Sequence, residues 1–180
     1  MTASRGLRYV VTGDRNWSDW GLVRRFVDAL PPGSTVIHGD ARGLDSMVER
    51  VLTTNRPTRA RQVRVHGEDG TIGRRRGGSS RGDIDVEVYP ADWDKYRYRV
   101  DRETGEVTER TGRNPAGAIR NRRMFKDGRP DRCVWFHHNL AESRGTADMV
   151  KVATEGAVAV WEASEFIEYM RHGEAADADE

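Results

Sequence analysis

Three segments of the chain join glycine to arginine, the first and third with a hydroxyl side chain as well: Thr12-Gly13-Asp14-Arg15-Asn16-Trp17, His38-Gly39-Asp40-Ala41-Arg42-Gly43-Leu44-Asp45 and Ser143-Arg144-Gly145-Thr146-Ala147-Asp148. The combination suits an anion. Glycine lets backbone N–H groups approach a phosphate, an arginine fork pairs two of its oxygens, and a hydroxyl such as that of Thr146 donates to it or caps a helix. One such segment is a weak signal. Three, each directly after an apolar run or the loop behind one, point to a phosphorylated small ligand. Asp45, Asp92 and Asp148 are the carboxylates that could assist water or a cationic sugar centre in a hydrolytic reaction. Asp14 could hold a ribose hydroxyl or cap the helix that follows.

Other residues have competing readings. His38 closes an apolar run and reads as a satisfied core histidine, with general acid chemistry as the alternative. Gly43 and Gly145 serve either a ligand or a tight turn. Trp17 and Trp93 read as packing residues or as platforms for a base. The arginines of Ile119-Arg120-Asn121-Arg122-Arg123-Met124 form a partly solvated helix face, from which Arg120 and Asn121 are the candidates to reach a ligand. His137-His138 lacks carboxylates at ligand spacing, so no metal site is expected, and no residue pattern calls for a cofactor.

These residues need elements to position them, and the apolar pattern supplies an alternation. Leu7–Thr12 and Thr35–His38 read as short buried strands, each ended by glycine. Leu22, Val23, Phe26, Val27 and Leu30 recur at helical spacing after the first; Leu44, Met47, Val48, Val51 and Leu52 do so after the second. Further strands are expected at Ile84–Tyr89, Arg132–Phe136 and Ala157–Trp161, and further helices at Ala118–Lys126, Thr146–Glu155 and Ala163–Met170. Strands that are continuous apolar runs alternating with helices predict an α/β fold with a parallel sheet covered on both faces. In such a sheet ligands sit beyond the carboxyl ends of the strands, where chain order reverses and helix N-termini offer N–H groups to anions. The three glycine-arginine segments fall there.

Two stretches fall outside the alternation. Residues 56–83 carry eight arginines, Arg56, Arg59, Arg61, Arg64, Arg74, Arg75, Arg76 and Arg81, against Glu68, Asp69 and Asp83, with six glycines and few apolar residues. Residues 97–111 alternate around Thr104-Gly105 and suggest a hairpin arm. Both are expected to lie outside the sheet core, and residues 174–180 form an acidic tail expected to be disordered.

The chain has 180 residues, as expected for one domain, and its net charge of +1 excludes a uniformly basic nucleic-acid coat or a strongly acidic protein. Electrostatic function must therefore be local. No apolar run approaches the roughly 18 residues that span a bilayer, and Met1–Arg8 opens no signal-peptide core, so a cytoplasmic protein with no membrane contact is expected. The single cysteine, Cys133, stands in an apolar run and reads as a buried thiol.

Thr-Gly-x-Arg-x-Trp at 12–17, His38-Gly39-x-Ala41-Arg42-Gly43-x-Asp45, Ala91-Asp92-Trp93, the Arg120-Asn121 run and Arg144-Gly145-Thr146-Ala147-Asp148-Met149 together resemble the YspA-type branch of the SLOG superfamily. The resemblance implies a Rossmann-like, doubly wound parallel five-stranded sheet of order 3-2-1-4-5 with two insertions. It implies that the ligand is a nucleotide or an NAD-derived small molecule. Relatives include LOG phosphoribohydrolases, DprA-like single-strand DNA binders and sensor domains. The ligand set expected is Thr12, Gly13, Asp14, Arg15, His38, Gly39, Arg42, Gly43, Asp45, Arg120, Asn121, Arg144, Gly145 and Thr146. LOG enzymes carry Pro-Gly-Gly-x-Gly-Thr-x-x-Glu; here Met149 stands in place of the glutamate, and Asp148 lies about 100° away around a helix. A ligand sensor or sequestering protein is thus the expectation. The alternatives are a hydrolase of the N-glycosidic bond of nucleoside 5'-monophosphates and nucleic-acid binding through residues 56–83; a homodimer remains open.

Overall fold

The computed structural model describes residues 6–54 and 57–176. In chain order the elements are β1 (Arg8–Gly13), α1 (Trp20–Ala29), β2 (Thr35–His38), α2 (Leu44–Thr54), β3 (Ala60–His66), β4 (Ile72–Arg75), β5 (Ile84–Val88), β6 (Tyr98–Val100), β7 (Val107–Glu109), α3 (Ala116–Gly128), β8 (Arg132–Phe136), α4 (Arg144–Glu155), β9 (Ala159–Glu162) and α5 (Ala163–Ala176). A seven-stranded sheet runs β4-β3-β5-β2-β1-β8-β9, parallel throughout except for β4 against β3. The alternation of side chains along each strand feeds two apolar layers. Tyr9 and Val11 of β1 face α1, α2 and α5, in the cluster that holds Phe26, Leu44 and Phe166, whereas Val10 and Cys133 face α3 and α4 with Met124 and Met149. Burial in the second layer pushes the Cys133 thiol up to about 12, which leaves it inert.

The five expected strands occur in the expected order, but the sheet holds seven. Residues 56–83, expected outside the core, supply the other two: β3 pairs in parallel with β5, and its Ala60 and Val63 are buried. The reason is electrostatic as well as apolar. The outer residues of β3 are basic and those of β5 acidic. Arg61 and Gln62 donate to Asp85, and Arg64 donates to Glu87 at 3.0 Å. Glu87 is 5% exposed and also accepts from Arg8 at 2.6 Å. Arg59 reaches Asp83 and the Val27 and Leu30 carbonyls at the end of α1, while Arg75 of β4 reaches back to Asp40 and Glu49. Arg74, Arg76 and Arg81 are exposed, and Arg56 lies outside the described residues.

The hairpin expected at 97–111 is present as β6 and β7, an antiparallel pair whose strand residues are all exposed. At the C-terminus α5 runs through Ala176, and residues 177–180 of the expected acidic tail lie outside the described residues. Among the described residues no helix is long and apolar enough to cross a membrane.

Candidate functional site

Between β1 and β8 the chain order reverses, and a cleft of about 530 Å³ opens there at the carboxyl ends of both strands. Its walls come from the loop after β1, the start of α3 and the start of α4. Thr12 and Gly13 form its floor at the end of β1, and the Asp14 N–H bonds the Phe136 carbonyl, fixing the loop to β8.

The α4 wall begins with Ser143, whose Oγ accepts from the Thr146 N–H and lies 2.7 Å from the Thr146 hydroxyl. Ser143 is therefore the cap. Thr146 is buried behind it, and of the two roles expected of its hydroxyl the cap falls to Ser143. The Arg144 and Gly145 N–H groups have no acceptor among the described residues, and the space beside Gly145 is open. Asn121 on α3 ties the two walls together. Its amide nitrogen donates to the Gly145 carbonyl at 3.1 Å and to Asp148 at 2.9 Å, and its oxygen accepts from Arg120 Nε. Met149 is fully buried against the sheet.

The loop after β2 is shaped by Asp45, which is 5% exposed and accepts from the Gly39 and Ala41 N–H groups, each at 3.0 Å. Arg120 lies over this loop and donates to the Gly39 carbonyl. A Cβ on Gly39 would stand 1.8 Å from the guanidinium, so any larger residue there would displace Arg120. Gly43 has φ +79° and sits against the Arg15 carbonyl; it serves the turn. His38 is a core histidine, with Nε2 3.3 Å from Glu49 and Nδ1 accepting from the Asp40 N–H. Neither His38 nor Gly43 lines the cleft.

The cations of the cleft differ from its acids. Arg15, Arg113 and Arg144 are exposed and make no ion pair or side-chain hydrogen bond among the described residues; Arg15 lies 5.2 Å over the Trp93 ring. Arg120 has no carboxylate within 4.0 Å, and burial lowers its pKa, an effect that Asp45 partly offsets and Arg15 adds to. The acids are engaged: Asp45 by backbone N–H groups, Asp148 by Asn121, Glu142 by Asn139, and Asp14 Oδ1 by the Asn16 N–H at 2.8 Å. Trp93 is 43% exposed at the rim, whereas Trp17 is packed on Phe136 and His138. Arg42 lies in an adjoining depression that shares Arg15, Ala41, Trp93 and Arg120 with the cleft.

Asp92 is outside the cleft, exposed, and accepts from the Lys95 N–H. Arg122 points outward, and Arg123 bonds the His66 and Gly67 carbonyls at the end of β3. Sequence reasoning missed Arg113, Asn114 and His137 as cleft residues. Asn114-Pro115 before α3 was the available signal: the Asn114 oxygen accepts from the Ala116 N–H and its amide donates to the Trp93 carbonyl, placing Arg113 at the rim. Among the described residues no cluster of three or more His, Cys, Asp or Glu is arranged to hold a metal ion. No protein-family model matches this chain, and no curated protein is significantly similar to it.

Proposed function

We propose that this protein is a Rossmann-like domain of the SLOG type that binds a nucleotide or NAD-derived small molecule in the cleft between β1 and β8, as a sensor or sequestering protein. One observation carries the reading: the cations of the cleft are unpaired while its carboxylates are held by protein donors. A poorly solvated guanidinium that no carboxylate contacts directly is costly, and a phosphate would relieve that cost at Arg120. Arg144, with the two open N–H groups at the start of α4, offers a second set of donors to the same kind of group.

The same geometry argues for binding without turnover. Met149 is inside the core, Asp45 and Asp148 brace the loops, and Asp92 lies elsewhere. The general acid–base contribution, about 10² to 10⁴ in rate, has no unengaged carboxylate among these candidates to supply it. Mass spectrometry of small molecules released from natively purified protein, followed by calorimetry with the compound found, tests the reading. A bound nucleotide-like phosphate with no release of free base is expected. An empty protein that fails to bind nucleoside monophosphates, or turnover at enzyme-like rates, would overturn it.

A further inference from the structure

Beside the unpaired cations the cleft holds a donor–acceptor pair of another kind. Asp14 Oδ2 and His137 Nε2 stand 3.8 Å apart, too far for a hydrogen bond, with side chains 29% and 11% exposed. Both residues line the cleft. Each is fixed through its other polar atom: Asp14 Oδ1 accepts from the Asn16 N–H at 2.8 Å, and His137 Nδ1 accepts from the Asn139 N–H at 2.9 Å. An Nδ1 that accepts puts the proton of the neutral ring on Nε2. The pair therefore sets a carboxylate oxygen that can only accept beside an N–H that can only donate.

A hydroxyl satisfies both at once. An oxygen about 2.7 Å from the carboxylate and about 2.9 Å from the imidazole nitrogen completes a triangle on the 3.8 Å base with nearly a right angle at the hydroxyl, which donates to one and accepts from the other. A phosphate oxygen, with no proton to give, would be repelled by Asp14. We infer that Asp14 and His137 read a ribose hydroxyl, so that the ligand class is a ribonucleotide-type phosphate ester in which the 2'- or the 3'-hydroxyl bridges the pair, and the form lacking that hydroxyl is discriminated against. This rests on the function proposed above and divides the cleft into an anion end and a sugar end.

The test is calorimetry of the full chain with the four ribonucleoside 5'-monophosphates and their 2'-deoxy and 3'-deoxy counterparts. Loss of the bridging hydroxyl should weaken binding by about tenfold to a hundredfold, the scale of a hydrogen bond to a charged group. Asp14→Asn keeps an oxygen for the Asn16 N–H but loses the second acceptor, and should bring the ribose form down to the affinity of the deoxy form. If both deoxy series bind as tightly as the ribose series and Arg144→Ala weakens all of them, the hydroxyl reading is overturned and the proposed function stands. If none of the compounds binds, both fail. Because the wild-type panel measures the discrimination directly, the result does not depend on the stability of the variant.

Discussion

In and beside the strand pair β3–β4, Arg59, Arg61, Arg64 and Arg75 each meet a carboxylate, whereas in the cleft Arg15, Arg113 and Arg144 meet none among the described residues. Both regions are rich in arginine, and composition alone does not separate them. What separates them is the neighbouring strand. β5 presents Asp85 and Glu87 beside β3, so Arg61 and Arg64 become cross-strand partners that attach an otherwise polar segment to the sheet. The loops after β1 and β8 turn their carboxylates toward backbone and amide donors, and their guanidinium groups remain open to a ligand. An arginine cluster thus signals binding only where the fold leaves it without acids.

Breaking the structural side of this contrast should give the largest effects. Met149→Glu, which restores the LOG-type residue, places a carboxylate in a fully buried position with no partner, and is expected to cost about 4 kcal/mol or more in urea unfolding without any release of base. Glu87→Ala should cost about 3 kcal/mol by stripping Arg8 and Arg64 of their shared acceptor.

Acid sharpens the same contrast with a smaller effect. The hydrogen bond from Arg75 holds Asp40 below the usual carboxylate range, and that from Arg59 does the same for Asp83. Burial raises Asp85, but hydrogen bonds from Arg61 and Gln62 win, and its value too is lowered. Groups depressed in the folded state contribute stability above their unfolded values, near pH 4, and lose it as pH falls through the lower folded values. Between about pH 5 and 2, hydrogen exchange should therefore show β3–β4 opening before β1 and β8, and Arg75→Ala should flatten the dependence. The smallest effect is expected from replacing residues 98–109 with a short Gly-Ser linker. The exposed hairpin strands contribute little to the core, and a melting temperature unchanged within about 2 °C is expected.

The order of the five expected strands and the α2 stripe of Leu44, Met47, Val48, Val51 and Leu52 were legible because buried parallel strands and amphipathic helices leave strong periodicities. β3 was not, since the irregularity between Ala60 and Gln62 breaks the period of Ala60, Val63 and Val65, and the acids that accommodate Arg61 and Arg64 stand 24 and 23 residues away in β5. The cleft was legible in part. Thr12, Gly13, Asp14, Arg15, Asp45, Arg120, Asn121, Arg144, Gly145 and Thr146 line it, while His38, Gly39, Arg42 and Gly43 do not. His38 and Gly43 hold the turn; Gly39 makes room for Arg120. His137 was read only as half of a poor metal pair, because its relation to Asp14 arises from the pairing of β1 with β8. The i, i+3, i+7 burial of Thr146, Met149 and Ala153 marks Met149 as a core residue.

Calorimetry of wild-type protein and Arg144→Ala, each titrated with the ribonucleoside 5'-monophosphates, tests the unpaired-arginine cleft most directly. Removing an exposed guanidinium beside the open N–H groups of α4 should weaken binding by about tenfold to a hundredfold while leaving the melting temperature unchanged. Equal affinity with a lower melting temperature would make Arg144 a structural residue and contradict the anion-binding role assigned to the cleft.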